Sequence, residues 1–150
     1  MAAQRKNLEK YAREYYLMGN ECITKAHDAR AAIANYNKAI ELYPGYVDAW
    51  VRKGITLFDE GHTEEAGICL NKAVEIRPGE FKAVYNRGKL RLHTGYIEGA
   101  IADLDKATSL KAEHAGAHEY FAEALEKAGK ETEAAIHYRI AEELRKKKKQ

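Results

Sequence analysis

The sequence predicts an all-α solenoid in which antiparallel helix pairs stack one after another. Residues 35–45 read NYNKAIELYPG and residues 69–79 read CLNKAVEIRPG, so nearly the same segment occurs twice, 34 residues apart. Apolar residues within each period follow helical spacing, and a glycine near the middle of most periods marks a turn. A period of this length is typical of helical hairpins that bury their apolar faces by stacking on one another.

The period extends over most of the chain. Five series of residues of similar size keep the same step: Ala32, Ala66, Ala100 and Ala134; Ala39, Ala73, Ala107 and Ala141; Tyr36, Leu70, Leu104 and Tyr138; Gly54, Gly88 and Ala122; and Gly61, Gly95 and Gly129. We therefore expect a single domain over 1–150 with four repeats, at about 12–46, 47–80, 81–114 and 115–147. A basic tail at 145–150 closes the chain.

Each repeat is predicted to contain two helices. In the second repeat, Trp50, Gly54 and Leu57 advance by four and three residues, which places them on one helical face. Ala66 and Leu70 begin the same spacing on the next helix. The small residues should let paired helices approach closely, while Trp50 and the leucines fill the core. On this interpretation Trp50→Ala costs about 3–5 kcal/mol of stability.

The turns set the helix boundaries. EGHT at 60–63 separates the two helices of the second repeat, and Gly61 is expected to end the first of them in a left-handed conformation. Gly19 and Gly54 are 35 residues apart, so the turn near 25–29 should take one extra residue. We expect eight helices, near 4–25, 29–43, 47–60, 63–76, 81–94, 97–110, 115–128 and 131–147.

The second repeat carries a recognisable signature. It reads WVRKGITL over 50–57, continues with the small and apolar residues of AGICLNKA at 66–73, and closes with Pro78. This pattern resembles the tetratricopeptide repeat, although Lys53 stands at the usual leucine and Leu57 at the usual tyrosine. The resemblance covers nearly the whole chain as four repeats. It implies a right-handed superhelix whose first helices line a concave groove, which usually holds an extended or helical peptide of another protein.

First-helix positions that packing does not use should line that groove. The predicted partner-binding residues are Tyr16, Asn20, Val51, Arg52, Ile55, Lys82, Tyr85, Asn86, Lys89 and Tyr120. Apolar members framed by cations suit a peptide with hydrophobic and acidic groups. The alternative is that Val51 and Ile55 are partly buried against a neighbouring helix.

One subfamily of these repeats grips the acidic C-terminal tails of heat-shock chaperones with lysine, asparagine and arginine side chains. Asn20 and Lys82 match two of its five clamp positions. Tyr16, Arg52 and Asn86 stand at the other three, where the subfamily has lysine, asparagine and arginine. We therefore expect an acidic ligand but not a chaperone-tail clamp.

No cofactor, metal or catalytic set is predicted, so the chain is not expected to be an enzyme. His114 and His118 share a helical face, but no third ligand follows at motif spacing. AGKET at 128–132 departs from the phosphate-binding loop and is better interpreted as a turn. Cys22 and Cys69 are expected to be buried, inert thiols.

Charge and composition narrow the partner class. The formal net charge is +2, yet RKKKKQ at 145–150 contains five cations, so the rest of the chain is net acidic. Such a tail gives weak contact with phosphates, and we expect no specific nucleic acid and no membrane as partner. The cysteine pattern and the absence of a leader-like segment favour a cytoplasmic location. The leading function is an interaction module or adaptor; the alternative is a scaffold that self-associates through its terminal repeats, for which Tyr11, Tyr15 and Tyr16 are candidates.

Overall fold

Eight α-helices follow one another in the computed structural model, which describes residues 1–150. They are α1 (Ala2–Ala26), α2 (Ala29–Leu42), α3 (Val47–Asp59), α4 (Thr63–Ile76), α5 (Phe81–His93), α6 (Ile97–Leu110), α7 (Ala115–Lys127) and α8 (Glu131–Lys148). All eight predicted helices are present, and no predicted end differs from the observed one by more than two residues. The all-α class is confirmed.

The chain divides into two compact units. Unit 1 spans Met1–Pro78 and unit 2 spans Gly79–Gln150. In unit 1, α1 packs on α2, α2 on α3, and α3 on α4. In unit 2, α5 packs on α6, α6 on α7, and α7 on α8. Within each unit the helices therefore stack in chain order, as a solenoid of hairpins requires.

Left-handed residues end the first helix of each hairpin. Gly61, Gly95 and Gly129 have φ of 84°, 82° and 78°, which confirms the prediction made for Gly61. His27 stands 34 residues before Gly61 and has φ of 52°. The backbone N–H of Asp28 then donates a hydrogen bond to the carbonyl of Cys22, six residues back. At the equivalent position of the second repeat, the N–H of His62 donates to the carbonyl of Leu57, five residues back. The extra residue of the first repeat therefore lies in the last turn of α1.

The predicted close approach of paired helices is confirmed at glycine positions. A Cβ added to Gly54 would lie 2.9 Å from the Cγ atom of Leu70, and one added to Gly88 would lie 2.8 Å from that of Leu104. Both leucines are almost fully buried. Only a residue without a side chain lets these helices pack at this separation.

Trp50 is not a core residue, and that expectation is wrong. Its side chain is only partly buried, and its Nε1–H donates to the carbonyl of Pro44 at 2.8 Å. The equivalent position in the next repeat holds Val84, which is 1% exposed. The ring of Trp50 is partly exposed, and the Lys53 ammonium lies 5.8 Å from its centroid.

None of the eight helices combines the length and the apolar character that crossing a membrane requires.

Candidate partner-binding surfaces

Asn20 joins three helices of unit 1. The hydroxyl of Tyr36 on α2 donates to the Asn20 Oδ1 atom at 2.8 Å, and Nε of Arg52 on α3 donates to the same oxygen at 3.1 Å. Burial raises the pKa of Tyr36, against a smaller lowering by Arg52, so its hydroxyl remains a donor. Because this oxygen already accepts two hydrogen bonds, Asn20 positions Arg52 and ties α1 to α2 and α3.

Tyr16 also serves packing within unit 1. Its ring centroid lies 6.1 Å from that of Tyr36 and 5.2 Å from that of Tyr46, both with tilted geometry. Burial, followed by the neighbouring Tyr16 and Asp48, raises the pKa of Tyr46 to about 12. The half-buried Tyr16 is therefore part of an aromatic cluster that anchors α1 to the turn before α3.

A cleft of about 220 Å³ lies beside Arg52 on unit 1. Its lining residues are Ile23, His27, Ala29, Arg52, Ile55, Thr56, Asp59 and Glu60. Two predicted site residues, Arg52 and Ile55, thus meet in one place. The cleft has a cation on one side and the carboxylates of Asp59 and Glu60 on another, so it is not a simple anion site.

Val51 was wrongly predicted as a groove residue. It is 1% exposed and belongs to the core of unit 1. The reason is that α3 packs against both α2 and α4, so it has two buried faces. Val47 lies one turn earlier on the same stripe and is 2% exposed. The alternative of burial therefore applies to Val51, while the half-buried Ile55 still reaches the cleft.

Unit 2 brings the other predicted residues together on α5 and α7. The Lys89 ammonium lies 5.4 Å from the ring centroid of Tyr85 and 5.0 Å from that of Tyr120. The two rings meet edge to face at 6.0 Å. A cation between two tyrosine rings is stabilised by both ring quadrupoles. We call Lys82, Tyr85, Lys89 and Tyr120 the lysine–tyrosine patch.

The patch has uncompensated positive charge. Lys82 is exposed on the first turn of α5, and neither Lys82 nor Lys89 belongs to an ion pair. The nearby carboxylates of α7 have other partners, because Glu119 pairs with Arg145 and Glu123 with Lys127. An acidic ligand at the patch would therefore meet two cations without displacing an existing carboxylate.

Asn86 is less available than its position suggests. Its Nδ2 donates to the backbone carbonyl of Lys82 at 2.7 Å, one turn back on α5. One amide proton is thus committed to the helix, so Asn86 keeps only part of its hydrogen-bonding capacity for a ligand.

Two aromatic side chains outside the predicted set of partner-binding residues contact Tyr85. Phe81 stacks on it at 5.2 Å with planes 10° apart, and His114 meets it edge-on at 5.0 Å. Burial, then Tyr120 and Glu119, raises the pKa of Tyr85 to about 12, so its hydroxyl stays neutral. Phe81 lies four residues before Tyr85, a helical spacing that could have revealed it. His114 comes from the turn before α7, and no local pattern indicates its place.

The remaining candidates for chemistry lie in structural settings. His118 is 6% exposed, with Nε2 2.8 Å from the carbonyl oxygen of Ala112. Cys69 is 3% exposed, and burial raises the pKa of its thiol, as expected for an inert cysteine. Cys22 is only half-buried, so that expectation holds for one thiol of the two. No three histidine, cysteine, aspartate or glutamate side chains converge in a way that could hold a metal ion.

Comparison with known proteins agrees with the observed architecture. Two tetratricopeptide-repeat profiles match residues 24–88 and 82–148. A curated but uncharacterized protein of Methanocaldococcus jannaschii, MJ0572, is 45% identical over 60 residues, which cover 40% of this chain and 69% of that protein.

Solved structures show the same fold. The crystal structure of MamA superposes with a TM-score of 0.83 at 22% identity and covers 98% of this chain and 87% of that one. MamA 41-end from Desulfovibrio magneticus RS-1 superposes with a TM-score of 0.79 at 24% identity. The match covers 91% of this chain and 76% of that one. The first repeat domain of Spaghetti (RPAP3), bound to the HSP90 peptide SRMEEVD, superposes with a TM-score of 0.77 at 20% identity. The match covers 81% of this chain and 95% of that one.

Proposed function

The chain belongs to the tetratricopeptide-repeat family, and from that premise we propose that it is a protein-interaction module whose lysine–tyrosine patch binds an acidic, partly apolar segment of another protein. The observation that carries this proposal is the Lys89 ammonium, which lies over the rings of Tyr85 and Tyr120, together with the exposed Lys82 on the first turn of the same helix. Binding of this kind uses a preformed surface and requires no catalytic group.

The patch offers complementary contacts to such a segment. The two ammonium groups suit carboxylates, and the faces of Tyr85 and Tyr120 suit an apolar side chain next to them. An extended or helical peptide is the simplest ligand that presents both kinds of group.

The peptide in the RPAP3 structure is acidic, which supports this ligand class for the present chain. The support is for acidic character and not for a chaperone-tail clamp. Only Asn20 and Lys82 match that clamp, and the Asn20 oxygen already accepts hydrogen bonds from Tyr36 and Arg52. We therefore propose a different acidic partner.

The basic tail does not change the proposed partner class. Arg145 pairs with Glu119 and Lys146 with Glu142, so two of its cations are engaged within unit 2. The rest of the chain is net acidic. Specific nucleic-acid binding would need a basic surface on the folded body, and we propose none.

An array of acidic heptapeptides tests the proposal, with SRMEEVD as one member and amide versions, Glu→Gln and Asp→Asn, as matched neutral probes. We expect the wild type to retain acidic members and to lose them when the carboxylates become amides. Lys82→Glu with Lys89→Glu should weaken binding by about tenfold or more, equivalent to about 1.4 kcal/mol. Lys106→Glu on α6, also an exposed lysine of unit 2, is the control. Equal retention of acidic and amide peptides, or an unaffected double variant, would refute the patch.

Arg52→Glu examines the cleft of unit 1 separately. If this variant alone abolishes retention, the acidic ligand binds at Arg52 and not at the lysine–tyrosine patch.

A second candidate function is self-assembly through α1. Several large apolar side chains of this helix are exposed, among them Leu8 at 44%, Tyr11 at 51% and Met18 at 50%. Light scattering over a wide concentration range distinguishes the two functions. A mass that rises with concentration and returns to that of a monomer in Tyr11→Lys/Met18→Lys supports assembly, whereas a constant monomer rejects it.

A further inference from the structure

Two histidines face each other where α8 packs on α7. The Nδ1 atoms of His118 and His137 are 3.0 Å apart, and their rings stack with centroids 5.3 Å apart and planes 18° apart. The other nitrogen of His118, Nε2, lies 2.8 Å from the carbonyl oxygen of Ala112. His118 is 6% exposed, so this contact is largely shielded from water.

The hydrogen-bond partners determine the proton positions. A carbonyl oxygen can only accept, so Nε2 of His118 must carry a proton. The Nδ1 of a neutral His118 is then a lone pair, and the facing Nδ1 of His137 must donate to it. When both rings are protonated, N–H faces N–H and the bond is lost.

One side of this contact is α8, a helix with few buried residues. Of the eighteen residues of α8, only Ala134 and Ala141 are fully buried. The helix packs mainly on α7, and its other polar contacts with α7, Tyr138–Glu126 and Arg145–Glu119, are exposed. An element with so few buried side chains is a candidate for local opening, and a buried polar contact then has a large share in its attachment.

We propose that the His118–His137 pair is an acid-sensitive latch, which holds α8 against α7 near neutral pH and releases it in mild acid. Of the three polar contacts between the two helices named above, this pair alone is partly shielded from water, and its donor–acceptor arrangement does not survive double protonation.

The surrounding charges agree with the direction of this switch. Burial, followed by the charge of His118, lowers the pKa of His137, while Asp105 on α6 and Glu133 on α8 oppose the shift without reversing it. Because the folded pKa lies below the unfolded value of about 6.5, the stabilisation is complete above that pH. It is lost as the pH falls toward the folded value.

One further histidine titrates in the same direction. Burial and then Lys111 lower the pKa of His114, with smaller contributions from Lys148 on α8 and from His118. His114 caps α7, since its Nδ1 accepts from the backbone N–H of Ala117. A measurement that reports on each helix separately is therefore needed to distinguish the latch from this cap.

Amide hydrogen exchange on the full chain measures the protection of each helix, at about pH 7.5 and about pH 5, with rates corrected for intrinsic exchange. We expect protection in α8 to fall about tenfold in acid, which is the order of effect of losing one shielded hydrogen bond, while α2 changes little. Unchanged protection of α8 in the wild type would overturn the proposal.

His137→Gln is the decisive variant, because a glutamine amide can donate to His118 but does not titrate. It should remove most of the pH dependence of α8 protection, whereas His62→Gln, at a histidine with a 58% exposed side chain, should retain it. Equal pH dependence in His137→Gln and wild type contradicts the latch. If His137→Gln fails to fold, imidazole NMR titration of the wild type decides: His137 should titrate below the ordinary histidine value of about 6.5, and titration at or above that value refutes the proposal.

Discussion

The carboxylate of Asp103 on α6 is held by the guanidinium of Arg87 on α5 through two hydrogen bonds, of 2.9 and 2.8 Å. Arg91, one turn further along α5, donates to the same carboxylate at 2.9 Å. The Asp103 side chain is 6% exposed and the two arginine side chains are 18% and 25% exposed. A bidentate pair supported by a second arginine therefore clasps the first hairpin of unit 2.

Asp103→Ala should destabilise the protein strongly. It removes the acceptor that two partly buried guanidinium groups share, and breaking a buried pair typically costs about 3–5 kcal/mol. Since both arginines keep some access to water, we expect about 3 kcal/mol. The loss is measured by urea unfolding near pH 8. Asp105→Ala, on the same helix but exposed, is the control. Similar losses in both variants would show that the clasp contributes nothing specific.

Gly19→Ala should also destabilise the protein. An added Cβ would lie 2.5 Å from Cε1 and 2.8 Å from Cδ1 of Tyr36, a fully buried ring whose hydroxyl is bonded to Asn20. The ring cannot withdraw without losing that bond, so overpacking of about 1–3 kcal/mol should exceed the helix-propensity gain of about 1 kcal/mol.

Gly99→Ala provides the matched comparison, because its Cβ would also meet a tyrosine ring, that of Tyr96. Tyr96 is 56% exposed and can move aside. We therefore expect a change near zero or a slight stabilisation in thermal unfolding. If Gly19→Ala is as well tolerated as Gly99→Ala, the close approach of α1 and α2 is not rigid.

Leu70→Ala should cost more stability than Trp50→Ala, although tryptophan is the larger residue. Leu70 is 1% exposed, and Leu70→Ala should cost about 3–5 kcal/mol as a core deletion. Trp50→Ala removes a half-exposed ring and one hydrogen bond to Pro44, for which we expect about 1–2 kcal/mol. Denaturant midpoints of the two variants give the comparison. A larger loss at Trp50 would restore its assignment to the core.

The helices were predictable because each depends on local signals. Spacing such as that of Ala66 and Leu70 defines a buried stripe, and glycines such as Gly61 adopt the left-handed conformation that ends a helix. The family resemblance added the stacking order of the hairpins, which local signals do not contain.

The candidate site was only partly predictable. The prediction that Val51 lines the groove was wrong because α3 packs on two neighbouring helices. Periodicity cannot distinguish a second buried face from an exposed one. Asp103 was missed because its partners are 16 and 12 residues away across a turn, and Cys69 stands at the equivalent position one repeat earlier. Lys89 and Tyr85, one turn apart on the same helix, were placed by their spacing alone, yet the contact of Tyr120 with both needed the packing of α7.

Tyrosine ionisation gives a test that depends on Tyr85 directly. Burial raises its pKa to about 12, and the folded state therefore binds this proton more tightly than the unfolded chain, whose tyrosines ionise near pH 10. The resulting stabilisation is complete below about pH 10 and is lost as the pH rises toward 12. Ultraviolet absorbance of tyrosinate should show a late phase to which Tyr85, Tyr46 and Tyr36 contribute, because burial raises the pKa of each. Tyr85→Phe should reduce that phase, and Tyr11→Phe, at a residue 51% exposed, is the control. A late phase that persists in full in Tyr85→Phe would mean that water reaches the Tyr85 hydroxyl, and that the cluster of Phe81 and His114 does not shield it.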